Sequence, residues 1–388
     1  MSEREGSSTA SVMDDEDLLW EILLRLPPQP SSLPRASAVC KRWRHMATDP
    51  RFLRSFYAHH RNPPLLGFFE YQRDNIVFTS ILDAPDRIPH ERFSLGRYSC
   101  YHEEDDIPSS EKYVLGCRHG RVLVIDHVCA ELVVCTPVTG EQRRLAVPPE
   151  FRMVLRCING AVFCAANDQG HVHGGCHFSP FKVVLVMMHR YDDQPLACVY
   201  SSETNEWGNL ISTAAPYRLF NAHRPGSLIG NALHWLTMRN DMLEFDLVEQ
   251  SLAVVSGPPV ENSFLHSQII QVEDGVVGFA VLSYPHFLIW RRNINGHGVA
   301  TWMQWKTIEM HSILALPPQI VRGAETILGY SEDADAFFIY VDANFYMVQF
   351  RSMKSKILHE TCYITDYHPF TGFYSSGNSS TQYFYFLL

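Results

Sequence analysis

Between residues 15 and 61 the apolar positions recur every three or four residues. After residue 65 they alternate or run in short blocks, and the change of period falls at Pro63-Pro64. Leu18, Ile22 and Leu26 form one stripe with Leu19 and Leu23 beside it, which predicts a helix over about Asp15 to Leu26. Asp14, Asp15, Glu16 and Asp17 crowd its first turn, where carboxylates favour the positive end of the helix dipole. Pro27-Pro28 stops it, since proline supplies no backbone N–H to continue the ladder. A second helix is predicted from near Pro34, with Ser31 and Ser32 as capping candidates and an apolar face of Ala36, Val39, Cys40, Trp43 and Ala47. Asp49-Pro50 reads as a cap with proline at the first helical position. It opens a third helix whose stripe is Phe52, Leu53, Phe56 and Tyr57 and which ends at His59-His60-Arg61.

From Leu65 onward a different unit recurs at a spacing of roughly 40 to 60 residues, the interval of radial repeat folds. Each unit is a strand, a polar turn and a second strand. Val133 to Glu141, continuing to Leu145 and Pro148, is the first clear case. Cys198 to Trp207, Leu243 to Leu252 and Met347 to Ser352 repeat it, and Leu288 to Arg292 with a longer turn to Trp302 fills the remaining interval. Between these hairpins lie short apolar runs read as inner strands: Arg121 to Ile125, Gly160 to Phe163, Ala232 to Leu236, Val276 to Ala280 and Ala336 to Tyr340. The fold class expected is mainly β with a small N-terminal all-α module, the β part being a propeller-like domain of about six blades. The first blade opens near Leu65-Leu66-Gly67-Phe68-Phe69. A β-sandwich is the arrangement expected if the units do not close.

Composition narrows the function classes. The 388 residues are 46% hydrophobic and 19% charged, the makeup of globular domains. A formal net charge of -10 argues against a nucleic-acid binder that works through its overall field. No apolar run approaches the roughly 20 residues that span a bilayer, and Met1 to Val12 lacks the charged-then-apolar order of a secretory leader. The expectation is a location in the cytoplasm and/or nucleus, with the ten irregularly spaced cysteines kept as thiols. The sequon Asn378-Ser379-Ser380 is then a chance match.

Three helices in so short a segment lie near the size at which a lone domain buries too little surface. Two readings stay open on the pattern alone. The helices either cap the sheet domain as part of its core, or present the wide apolar arc of the first helix to a partner. The run Asp17-Leu18-Leu19-Trp20-Glu21-Ile22-Leu23-Leu24-Arg25-Leu26-Pro27, then Arg35-Ala36-Ser37-Ala38-Val39-Cys40-Lys41-Arg42-Trp43-Arg44 and Asp49-Pro50-Arg51-Phe52, resembles an F-box. The sequence departs from that family where Asp14-Asp15 stand in place of the usual Leu-Pro. The resemblance implies binding to a Skp-type adaptor, and through it to a cullin and a RING subunit. Carried over position by position, the contact residues implied are Leu18, Leu19, Ile22, Leu23, Pro27, Leu33, Val39, Cys40 and Trp43. A wide apolar helix face laid on a partner's helices suits such a contact.

The β units in turn resemble the F-box-associated propeller domains that are especially numerous in grasses. Thr136 to Glu141, Tyr200 to Trp207, Gly230 to Leu236 and Ile327 to Tyr330 are the segments that carry the likeness. Together the two resemblances imply a plant F-box protein whose layout is a disordered N-terminus over 1–13, an F-box helical docking domain over 14–61, a proline linker over 62–64 and a propeller-like recognition domain over 65–388.

Signs of catalysis are sparse. The chain has no phosphate-binding glycine loop followed by Lys-Ser/Thr, no Rossmann glycine cluster and no His-Glu-x-x-His helix. Gly372 to Gly377 fails the nucleophile-elbow spacing. The best metal candidate is His171-Val172-His173-Gly174-Gly175-Cys176-His177, since imidazole and thiolate suit zinc. Its two glycines describe an exposed loop between blades equally well, so no metal and no cofactor is expected. Glu103-Glu104-Asp105-Asp106 reads as a solvated loop, with docking of a basic substrate as the alternative. Trp207, Trp235, Trp290, Trp302 and Trp305 read as blade core. His45 and His59-His60 read as helical surface, and Cys117 and His119 as packing residues around a turn. The sequence therefore points to a non-catalytic substrate receptor of an SCF-type ubiquitin ligase that recruits a protein substrate through the propeller. An adaptor-bound, non-proteolytic scaffold and a propeller-type ligand-binding protein or enzyme are the alternatives.

Overall fold

The computed structural model describes residues 16–374 apart from 73–74, 96–111, 153–157, 167–170, 188–194, 214–223, 238–239, 261–265, 274, 295, 297–299, 319–324 and 361–365. Residues 1–13, Asp14-Asp15, Glu103 to Asp106 and the end of the chain from 375 lie outside the described residues.

Four helices precede the sheets where the periodicity predicts three. They are α1 (Glu16–Leu24), α2 (Ser32–Ser37), α3 (Lys41–Ala47) and α4 (Pro50–His60). The predicted second helix is two, because the chain turns extended at Cys40 (φ -161°, ψ 170°), which becomes the N-cap of α3. The apolar spacing survives that break, so the pattern does not reveal it. α4 starts as expected: the Asp49 carboxylate accepts from the Arg51 N–H, and Pro50 stands at the first helical position. Leu19, Leu23, Leu33, Ala36, Ala47, Phe52 and Phe56 make a small core, with Trp20 edge-on to Phe52 at 5.1 Å between centroids.

The rest is a ring of six antiparallel sheets, so the expected propeller closes and the sandwich does not apply. β1 (Leu65–Gln72) and β2 (Asn75–Ser80) open it. The second blade runs through β3 (Lys112–Arg118), β4 (Arg121–Asp126), β5 (Glu131–Thr136) and β6 (Glu141–Ala146). The third has β7 (Ile158–Cys164), β8 (Phe181–Met187), β9 (Leu196–Ser201) and β10 (Glu206–Trp207), with β11 (Ile211–Ser212) also on β9. β12 (Ser227–Ile229), β13 (Ala232–Leu236), β14 (Met242–Asp246) and β15 (Ser251–Val255) form the fourth. β16 (Ser267–Glu273), β17 (Val276–Ser283), β18 (His286–Ile294) and β19 (Ala300–Glu309) form the fifth. β20 (Thr326–Ser331), β21 (Ala336–Val341), β22 (Asn344–Gln349) and β23 (Lys354–Glu360) form the sixth. Finally β24 (His368–Thr371) returns to pair with β1, Phe69 opposite His368, and completes the first blade.

The strands at the inner edges of the six sheets are β3, β7, β12, β16, β20 and β24; β20, β24, β3 and β7 approach one another in turn, as do β12, β16 and β20. This corrects one expectation. Of the five runs read as inner strands only β7 is innermost, and β4, β13, β17 and β21 are second from the axis. They are the most apolar because neighbouring blades cover both faces, as the unbroken burial of β4 and β21 shows. The tryptophans also divide. Trp235 is fully buried, whereas Trp305 is 37% exposed on β19. Trp207 and Trp302 share a role: each indole N–H leaves its own blade and donates to the preceding one, at Ala146 O (3.0 Å) and Ser256 O (2.7 Å).

A charged clasp links the fourth and fifth blades. Glu244 on β14 accepts from Arg292 on β18 at 2.8 Å and lies 3.1 Å from His234 Nε2. The hydrogen bond with His234, then the charges of His234 and Arg292, hold its pKa down to about 2 against the ordinary 4.5. A depressed carboxylate contributes stability above its unfolded pKa and loses it as pH falls toward the folded value. Thermal melts from pH 5 down to pH 2 are therefore expected to fall less steeply for Glu244→Gln than for the unmodified chain. Parallel slopes would remove this clasp from the acid response.

Candidate docking face and a cysteine–histidine cluster

The adaptor-facing residues implied by resemblance divide into two groups. Leu19, Leu23 and Leu33 are buried inside the helical core, so they shape the module rather than face outward. Ile22 is 38% exposed and Val39 63% exposed, and Pro27 and Cys40 also lie at the surface. Leu18 is half-buried, and Trp43 packs one side on the core while remaining partly exposed. In α1 two adjacent apolar stripes run side by side, Leu19/Leu23 inward and Leu18/Ile22 outward. Val39 and Cys40 are exposed because they sit in the break between α2 and α3.

The helical module is seated on the propeller rather than hung from it. Tyr57 of α4 stacks on Phe373 at 4.4 Å, and the Ser31 N–H donates to Asp86 Oδ1 at 2.9 Å. Pro63 is buried, and the Gly372 N–H donates to Pro64 O at 3.1 Å, so the two prolines are held against the propeller where the sequence suggests a linker. The seat is the Gly174-Gly175 pair. A Cβ on Gly174 would lie 2.5 Å from Pro63 Cβ, and one on Gly175 would lie 2.5 Å from the Tyr57 ring, so both positions demand glycine. The Gly174 carbonyl also accepts from the Phe373 N–H at 3.0 Å.

Polar side chains at the axis tie blades together. The Arg118 guanidinium bonds both oxygens of Glu332, at 2.7 and 2.9 Å, and donates to Gly226 O at 2.7 Å. Glu332 in turn accepts from the Leu228 N–H at 2.7 Å, so one ion pair joins the second, fourth and sixth blades. Arg224 donates to Ser267 O at 2.6 Å and to Ile327 O, and its own carbonyl accepts from Asn159 at 2.6 Å. A shallow hollow beside this network is lined by Leu228, Gln271, Glu273, Tyr330, Glu332 and Arg351.

The glycine seat belongs to the loop between β7 and β8, and that loop carries the histidine-rich tract. The fold changes its membership. His171, His173 and Cys176 come together with Cys164, the last residue of β7, and one ligand-type atom from each lies within 4.8 Å of the others. His171 Nε2 is 3.3 Å from Cys164 Sγ. His177, which the tract alone offers as a fourth ligand, is not in the group. Cys164 escapes sequence reasoning because it reads as the end of an ordinary strand. The hairpin that returns from β7 brings it back to the tract, with the Ala165 N–H donating to Pro180 O at 2.8 Å.

The surroundings fix this cluster from the second blade. Arg121, 1% exposed, donates to the carbonyls of Cys176 (2.7 Å) and Ser179 (2.6 Å), and its Nη1 lies 3.9 Å from Cys176 Sγ. The His119 ring stacks on His173 at 3.6 Å, and its Nδ1 accepts from the Cys164 N–H at 3.0 Å. Cys117, by contrast, is a packing residue whose thiol is pushed up by burial.

The architecture is thus a small helical module with outward apolar residues, seated on a closed propeller whose axial side chains bond across blades. Sequence comparison agrees: residues 16–59 match the F-box-like family, and residues 113–374 match the family described as F-box protein AT5G49610-like, β-propeller. The chain belongs to this family of F-box proteins with a C-terminal β-propeller. The Arabidopsis thaliana F-box protein At3g23950 is 24% identical over 250 residues, covering 59% of this chain and 55% of that protein. The chain thus spans about half the length of the curated relative it matches. Among solved structures, the WD40 domain of SCAP from fission yeast superposes with a TM-score of 0.34 at 13% identity, over 66% of this chain and 51% of that one. Sqt1 of Saccharomyces cerevisiae gives 0.34 at 10% identity, over 62% of each chain. At such scores neither adds to what the six sheets show directly. Among the described residues no helix is long and apolar enough to cross a membrane.

Proposed function

We propose that this chain recruits a protein substrate to an SCF-type ubiquitin ligase in the cytoplasm and/or nucleus. The helical module over 14–61 holds the Skp-type adaptor, and through it the cullin and RING subunits. The propeller over 65–388 holds the substrate. The receptor carries no thioester chemistry. It raises the effective concentration of substrate near the charged conjugating enzyme, which is catalysis by proximity. The observation that carries this reading is the exposure of Ile22 and Val39 on an F-box-like module otherwise closed around its own core. Apolar side chains so placed gain by burial against a partner's helices. Leu18, Pro27, Cys40 and Trp43 complete the proposed contact, while Leu19, Leu23 and Leu33 support it from within.

The test is co-expression of the full chain with a plant Skp-type adaptor, followed by size-exclusion chromatography. A one-to-one complex that disappears on deletion of residues 14–61 is the expected result. A folded, monodisperse chain that ignores the adaptor would sink the reading. Dependence of a captured partner's abundance on active cullin then separates a degradative receptor from a scaffold.

A further inference from the structure

We propose that Cys164, His171, His173 and Cys176 form a structural zinc site of Cys2His2 type, which locks the β7–β8 loop as the seat of the helical module. In a tetrahedral zinc site with Zn–S of about 2.3 Å and Zn–N of about 2.0 to 2.1 Å, ligand atoms stand roughly 3.3 to 3.8 Å apart. The four atoms here already lie within 4.8 Å of one another, with one imidazole–sulfur pair at 3.3 Å. A contraction of about 1 to 1.5 Å at the widest pair would close the coordination sphere. Two thiolates and two imidazoles select a borderline-soft cation and leave no position for water, which marks a structural rather than a catalytic centre.

Three further features support a built site. His173 Nδ1 is buried without a hydrogen-bond partner, an outstanding cost that ligation through that nitrogen would relieve. The loop is already held by the two Arg121 bonds to its carbonyls, so little ordering remains for the metal to impose. His119 supplies an outer contact of the kind that orients metal ligands, through its stack on His173 and its bond from the Cys164 amide. Two partly exposed histidines leave the cation a way in, while both cysteines are buried.

The consequence follows from chain connectivity. Gly174 and Gly175 lie between ligands His173 and Cys176, and they are the residues against which Pro63 and Tyr57 pack. Fixing both flanks of the pair fixes the surface that receives the helical module.

The test uses the untagged full chain, equilibrated with Zn(II) alone, desalted and assayed by mass spectrometry for metal and for thiol state. One zinc per chain is expected, replaceable by Co(II) with the visible absorption of a four-coordinate thiolate centre. Cys176→Ser and His173→Ala should each cut retained metal at least about tenfold, because a structural site loses most of its affinity with one ligand. His171→Cys keeps a competent ligand, and its retention of metal separates ligation from a general loss of folding. Less than about a tenth of a zinc per folded chain, a disulfide between Cys164 and Cys176, or uptake indifferent to both ligand removals would each overturn the assignment.

Discussion

Glutamate at both Ile22 and Val39 is expected to abolish capture of the Skp-type adaptor while the propeller stays folded. Both side chains are substantially exposed in the free chain, so the exchange costs the module little of its own core. In a desolvated interface each carboxylate would instead be buried without a partner, a penalty of about 2 kcal/mol or more apiece. Two such penalties weaken binding by roughly a thousandfold, beyond the range of co-purification. Affinity measured by titration calorimetry, with circular dichroism as the control for folding, checks this. Capture undiminished in the doubly substituted chain would show that the adaptor uses another face. Leu19→Glu would not serve, because it places a charge in the core around Phe52 and confounds binding with unfolding.

The largest stability effect is expected from Arg118→Met. The guanidinium is 7% exposed and its partner Glu332 26%, and their pairing joins the second and sixth blades. Removing one member of a buried pair leaves the other charge uncompensated, which costs about 3 to 5 kcal/mol. The partial exposure of Glu332 points to the lower end. The Gly226 carbonyl also loses its donor, and Leu228 remains bonded to a carboxylate with no counter-charge. Denaturant unfolding should show the midpoint falling with little change in slope, and Arg118→Met with Glu332→Gln should recover part of the loss. A change below about 1 kcal/mol would mean that water already satisfies the partly exposed Glu332.

Particular residues show what the sequence could and could not convey. The Asp49-Pro50 start of α4 was legible because capping is local chemistry: one carboxylate, one N–H and a proline that needs no donor. The outer hairpins were legible for the same reason. Turns such as Thr136 to Gly140 and Ser201 to Asn205 each place a left-handed residue where Gly or Asn tolerates it, at φ 77° and 63°. The break at Cys40 was hidden because an extended residue between two short helices leaves the apolar spacing intact. The order of strands from the axis was hidden because burial by neighbouring blades, not depth within a blade, makes β4 and β21 apolar. The split of the proposed docking residues had the same origin: Leu19 and Ile22 are equally apolar, and only the packing of α4 decides which one faces out. The cysteine–histidine cluster was half visible. His171, His173 and Cys176 are neighbours in sequence, but Cys164 joins them through a hairpin that the spacing does not announce.

The seating of Tyr57 on Gly175 bears on how such a receptor presents its cargo. A slack tether would let a bound protein swing, so that any lysine on it could in time be offered to the conjugating enzyme. A keyed joint works as a lever of set length and angle. It converts the place where a protein grips the propeller into a choice of which lysines come within reach. Residues that touch neither adaptor nor cargo, two glycines among them, would then decide where the modification lands.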